Sequence, residues 1–202
     1  MNYLVYNLIN INSTLIQCNL NEINNIDINN NFKINKWNIH KKMISEIQQF
    51  KINGILTYKN GIKKIFLKFY LDNIKSENYS FIIYNFFGKK IFEFISNNNK
   101  LFLKNGKEII NLDNNKYLIE ENYKILIKNL SSWIIGLPGD SKEFRINKIG
   151  RLKEIKHTYN SKKYIVKYHK YHNSTNPPLP INIEFNQGND FINLRIKNWI
   201  LS

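Results

Sequence analysis

From Phe50 the chain alternates apolar and polar residues with a period of two. Phe50–Tyr58, Ile62–Leu71, Tyr79–Tyr84 and Lys89–Ser96 are rich in Ile, Phe and Tyr and read as strands with one face in a core. Asn60-Gly61 predicts a tight hairpin between the first two, because Asn and Gly accept the positive φ that a two-residue loop requires. Asn97–Asn99 and Asn105-Gly106 punctuate shorter runs at Leu101–Lys104 and Glu108–Leu112. The alternation resumes after Gly139 in Glu143–Asn147, Arg151–Tyr159, Lys163–Tyr171, Ile181–Asn186 and Phe191–Leu201, with Asn160-Ser161 and Gly188-Asn189 as turns. Connections this short leave no room for crossover helices, so the strands form an antiparallel meander.

Two stretches depart from that rhythm. Trp37, His40, Ile44 and Ile47 recur at helical spacing, giving an amphipathic helix from Lys36 to about Gln48. Asn115–Ile135 reads as two short helices. Gly136 stops the second, Pro138 cannot extend it, and Gly139 permits the reversal that follows. Pro177, Pro178 and Pro180 lack amide donors, so that segment is an edge or an irregular connection. Residues 1–32 include the Asn-rich run Asn19–Asn31, which carries too little apolar surface to fix itself. They are expected to be a signal-like or tether segment, and 33–202 a single domain.

Composition adds a basic excess and little chemistry. The formal net charge is +15, the pI is near 9.7, and Ala is absent while Asn, Ile and Lys dominate. That bias toward residues with adenine- and thymine-rich codons weakens inference from charge. The lysines are spread over Lys33–Lys42, Lys59–Lys68, Lys100–Lys107 and Lys162–Lys170 without an arginine cluster. They fit a solvated excess better than a nucleic-acid site, although a basic β-domain binding nucleic acid or another anionic partner stands as the alternative function. The one cysteine, Cys18, excludes an internal disulfide framework and a multi-cysteine zinc site. His169 and His172 fall on opposite faces of a strand, so no shared metal is expected, and His40 reads as a packing residue. No nucleophile–base or phosphate-loop spacing occurs. An enzyme is not expected, and neither is a cofactor or a metal.

The segment Trp133-Ile134-Ile135-Gly136-Leu137-Pro138-Gly139-Asp140 resembles the LolB family of outer-membrane lipoprotein receptors, where Trp-x-x-Gly-Leu-Pro-Gly-Asp joins lid helices to the second half of a barrel. Arg151-Leu152 with Glu154-Ile155, Thr175–Pro180, and Asn198-Trp199-Ile200 are similar to later segments of that family in order and spacing. The resemblance implies an incompletely closed antiparallel β-barrel of roughly eleven strands, with an α-helical lid over a hydrophobic cavity. It also implies a function: to accept acylated lipoproteins from a LolA-like periplasmic carrier and insert them into the inner leaflet of the outer membrane, as a monomer. The lysine excess would then steer an acidic face of the carrier toward the cavity mouth.

Particular residues follow from it. Cys18 matches the lipidation site of a lipid-anchored protein on the periplasmic face of a Gram-negative outer membrane. Its surroundings depart from a lipoprotein signal: the first basic residue is Lys33, and Gln17 replaces a small residue. Tyr84-Asn85-Phe86-Phe87-Gly88 joins two predicted strands, and Phe86 and Phe87 either end a buried strand or make an exposed apolar contact. The resemblance matches Phe87 to a residue of a protruding membrane-insertion loop. Trp37, Trp133 and Trp199 match tryptophans of a barrel whose interior binds acyl chains, and core packing accounts for them equally well.

Overall fold

The computed structural model describes residues 30–75, 78–98, 100–114 and 121–202. Cys18 and most of the expected tether lie outside them. Strands β1 (Phe50–Asn60), β2 (Lys63–Lys75), β3 (Asn78–Tyr84), β4 (Lys90–Asn97), β5 (Lys100–Asn105) and β6 (Glu108–Asn111) pair in sequence order, each antiparallel to the next. So do β7 (Glu143–Ile146), β8 (Leu152–Tyr159), β9 (Lys162–Tyr171), β10 (Pro180–Gln187) and β11 (Asp190–Leu201). β1 and β11 then pair from Phe50↔Leu201 to Asn60↔Asp190 and join the two meanders into one sheet of eleven strands.

That order leaves β6 and β7 as the edges of the sheet, although they are neighbours in sequence. The chain must cross the open side between them, and it does so with α2 (Glu121–Lys128) and α3 (Leu130–Ile135). The result is the expected incompletely closed antiparallel barrel under helices. Each strand starts and ends within a few residues of its predicted limits, because alternation and turn residues mark both.

Two local expectations shift. The N-terminal helix, α1, occupies residues 30–45, so it includes the last residues assigned to the tether and stops before Gln48. The first hairpin closes on Gly61-Ile62 rather than Asn60-Gly61, since Asn60 still pairs with Lys63. Gly61 takes the positive φ, +53°, and Ile62 is carried to the apex.

The core lies on the inner face of the sheet. Phe50, Ile52, Leu56, Phe69, Leu71, Phe94, Ile155 and Val166 are buried on alternate positions of their strands. Gly54 interrupts the row on β1, at a register shift against β11. A Cβ there would stand 2.0 Å from the Arg195 carbonyl oxygen and 2.8 Å from Phe69 Cε1. Helix α1 packs against the second half on its core face, since Phe144 stands opposite Ile155 in the β7–β8 register and Trp37 joins the core cluster. Trp37 is buried with its ring 5.7 Å from that of Phe144, and the backbone of Lys36 and Trp37 closes on Gly150.

Candidate functional site

Where the two meanders face each other beneath the helices, the side chains do not fill the interior. A cavity of about 490 Å3 remains, within the size range of ligand pockets. Its walls come from both halves and from the lid: Leu56 on β1, Ile83 on β3, Leu103 on β5, Leu194 on β11, Leu126 on α2 and Leu130 on α3 are examples. All fifteen lining residues are aliphatic or aromatic, and the one hydroxyl among them, that of Tyr58, donates to Asp190 Oδ1 at 3.1 Å. No charged side chain lines the wall. What it offers is a place for hydrocarbon to leave water, at about 0.8 kcal/mol per buried methylene.

The cavity opens toward one end of the barrel. Ile65 and Phe92, the lining residues near the ends of β2 and β4, are about half exposed, whereas Phe94 and Leu194 further along are buried. At that same end the β3–β4 loop projects. Asn85 N–H donates to the Lys89 carbonyl, Gly88 N–H to that of Asn85, and Lys89 N–H to Asn85 Oδ1, which fixes a tight turn with Gly88 at φ +87°. Phe86 and Phe87 stand on this turn, 72% and 94% exposed. Of the two readings of these residues, an exposed apolar loop is the one their position fits.

The lid is tied to both halves of the sheet. The Tyr79 hydroxyl on β3 donates to the Ile127 carbonyl on α2, and the Tyr168 hydroxyl on β9 donates to the Trp133 carbonyl on α3 at 2.7 Å. Burial pushes both phenols above their ordinary pKa, so they remain protonated donors at physiological pH. Gly136, at φ +90°, ends α3 with its N–H on the Trp133 carbonyl, and Leu137 N–H reaches that of Ser132. The Trp133 indole then donates to the Pro138 carbonyl at 3.2 Å, folding Gly136–Gly139 back against the helix.

The three tryptophans matched to a lipid cavity have separate places. Trp133 lines a small pocket of about 30 Å3 that shares Leu126, Phe185 and Ile192 with the main cavity. Trp37 and Trp199 are not on the cavity wall: Trp37 docks α1, and Trp199 packs on Phe50 at 5.4 Å and donates to the Pro180 carbonyl. The wall residues that sequence reasoning did not single out are ordinary inward strand positions, whose alternation is the same whether they enclose a space or fill it.

Among the described residues no group of three His, Cys, Asp or Glu side chains could hold a metal ion. His169 contacts Glu184 at 2.7 Å while His172 contacts Ser174, in keeping with opposite faces. Ser141 Oγ lies 3.0 Å from His157 Nδ1, away from the cavity wall. His40 is buried, its ring edge-on to Tyr171 at 6.3 Å, with Nε2 unpartnered. Burial, with help from nearby Arg151, lowers its pKa from 6.5 to about 4. The fold thus favours the neutral imidazole. That contribution is full above about pH 6.5 and is lost as pH falls from there toward 4, where the unfolded chain binds the proton first. Between pH 7 and pH 5 the native chain should lose on the order of 1 kcal/mol more stability in urea than a His40→Gln variant. Equal losses would show that His40 is not the group responsible.

The site is an open antiparallel barrel with a helical cover and an apolar interior, able to take up apolar groups. Its fold is that of a LolA superfamily protein from Nitrosomonas europaea, with a TM-score of 0.56 at 10% identity over 84% of this chain and 92% of that one. The sequence is more specific. Residues 48–199 match the family described as "Outer membrane lipoprotein LolB". The chain is 31% identical to the outer-membrane lipoprotein LolB of Photorhabdus laumondii over 168 residues, covering 81% of this chain and 80% of that protein. It is 28% identical to that of Baumannia cicadellinicola over 207 residues, covering 95% and 93%. This chain belongs to the LolB family, a family of lipoprotein transport proteins.

Proposed function

We propose that this protein is the outer-membrane receptor that accepts lipoproteins from a LolA-like periplasmic carrier and inserts them into the inner leaflet of that membrane. The observation that carries the reading is the cavity of about 490 Å3 with its wall of aliphatic and aromatic side chains, roofed by α2 and α3. Acyl chains enter it because they leave water, and no covalent chemistry is needed to hold them. Direction then needs only graded affinity: the carrier holds the anchor less tightly than this chain, and the bilayer more tightly than either. The family relationship favours this transport role over nucleic-acid binding as the setting for the +15 charge. The protein works as a monomer, since one chain supplies the whole wall, and Cys18 carries the lipid anchor.

Release is the task of Phe86 and Phe87. Both project into solvent beside the mouth, so they can enter a lipid interface without opening the core. Phe87→Glu should therefore melt within about 1 kcal/mol of the native chain. It should still take lipoprotein from the carrier, but pass it to liposomes at least tenfold more slowly, because a carboxylate resists leaving water. Normal delivery by a folded Phe87→Glu protein would remove the loop from the mechanism.

A further inference from the structure

Phe86 and Phe87 are not alone at the mouth end. β1 ends and β2 begins there too, as β3 ends and β4 begins, and the apex of the β1–β2 hairpin is Ile62, fully exposed. Behind the apex, Lys59 stands directly opposite Lys64 in the β1–β2 register. Tyr58 and Ile65, the next pair along, face the cavity, so Lys59 and Lys64 share the outer face of the sheet. Two like charges directly across a ladder repel one another, and a hairpin gains nothing from that arrangement unless an anion comes between them. A depression of about 420 Å3 lies at this spot, lined by Lys59, Lys64, Gly61, Asn189 and Phe191. Gly61 leaves it open on one side, with no atom within 4 Å of where a Cβ would be. Lys63 adds a further cation next to the apex. Lys59, Lys63 and Lys64 form no ion pair among the described residues, and Lys64 Nζ rests 4.9 Å over the Phe66 ring, a contact that leaves its charge without a counter-anion. The nearest carboxylate on the adjoining strand, Asp190, is already held by Asn60 at 2.6 Å and by Tyr58.

We propose that the β1–β2 tip is a second membrane-contact element, in which Ile62 enters the apolar layer while Lys59 and Lys64 grip the phosphate of an anionic phospholipid headgroup. It rests on the reading that this end of the barrel meets a membrane. The geometry fits a lipid surface better than a protein partner. The cations sit about two residues behind the apex, roughly 7 Å along the strands, which is the depth separating apolar chain from phosphate at a bilayer surface. The neighbouring tip repeats the layout: Lys68 on β2 lies 5.2 Å over the Phe86 ring, and Lys89 follows Gly88. Two apolar apices with cations behind them make a pair of shallow feet on a plane, not a groove for a peptide. Two contacts also orient the mouth against the bilayer, which a single loop cannot do.

The test is flotation with liposomes of neutral phospholipid, with and without about one-third anionic phospholipid. It uses the full-length chain carrying Cys18→Ala, so that no acyl group on that residue can hold the protein to the vesicle. Lys59→Gln/Lys64→Gln should bind anionic vesicles about thirtyfold more weakly than its parent at low salt, from two lysines at a membrane surface, and should lose most of the preference for anionic over neutral vesicles. Ile62→Ser should weaken binding about tenfold to both kinds. Both changes lie at an exposed tip, so melting temperatures should match the parent. Unchanged partitioning of the folded lysine variant overturns the proposal. So does a variant that binds vesicles normally but loses the carrier, since the lysines would then serve a protein partner. Uptake of lipoprotein in solution, without vesicles, tests the receptor reading separately: failure there, with tip-dependent vesicle binding intact, removes that reading and leaves the membrane contact standing.

Discussion

A chain carrying Ile83→Trp and Leu103→Trp should fold normally and no longer accept a lipoprotein. Both residues line the cavity, on β3 and β5, and both are already buried. In a packed core, a tryptophan in place of a smaller side chain costs about 1 to 3 kcal/mol through forced rotamers and backbone shifts. Here a space of about 490 Å3 receives the indoles, so stability should change by less than that or rise. Binding should respond in the opposite way. Each acyl methylene kept out of the cavity forfeits about 0.8 kcal/mol, so displacing about four of them weakens the complex more than a hundredfold. Thermal melting with a carrier-to-receptor transfer assay separates the effects. A folded double variant that still takes up lipoprotein would mean that the anchor sits elsewhere.

The second large effect concerns the seam. Gly54→Ala should destabilise the protein by at least about 3 kcal/mol, a large share of the about 5 to 15 kcal/mol that holds a domain folded. The added Cβ would meet the Arg195 carbonyl oxygen at 2.0 Å, and that oxygen belongs to the β11 backbone, not to the end of a side chain that could swing away. Relief requires β1 and β11 to separate at the one place where the two meanders join. Gly61→Ala is the control. It strains a residue at φ +53° but meets nothing within 4 Å, so it should cost only about 1 to 2 kcal/mol. Comparable urea midpoints for the two variants would show that the β1–β11 contact is looser than described.

The fold was legible in the sequence to the degree that it depends on local pattern. Alternation marks a strand whatever lies on either side of it, so Phe50–Tyr58 or Phe191–Leu201 could be read directly. Gly136, Pro138 and Gly139 gave the end of the lid for a similar reason, since each restricts its own backbone. The first hairpin slipped by one residue because Asn60-Gly61 and Gly61-Ile62 both place a glycine at positive φ, and only the β1–β2 register decides between them. The expected helix overran the end of α1 because no stop signal lies between Ile44 and Phe50 to mark it. The cavity was not legible. Ile83 and Leu103 alternate as Ile52 and Leu71 do, yet the first pair faces space and the second faces other side chains. Trp37 and Trp199 match tryptophans of the LolB family, but a matched tryptophan marks a large buried group, not what it is buried against. Gly54 gave no warning either, because its constraint comes from residues 69 and 195.

The most direct test of the central claim mixes a LolA-like carrier, loaded with an acylated lipoprotein, with this protein in the absence of membrane and nucleotide. The account predicts that the lipoprotein leaves the carrier and is recovered in a one-to-one complex with this chain, held through its acyl groups in the cavity lined by Ile83, Leu103 and Leu194. A lipoprotein that stays on the carrier until vesicles are added, or that binds equally well after its acyl chains are removed, would contradict it.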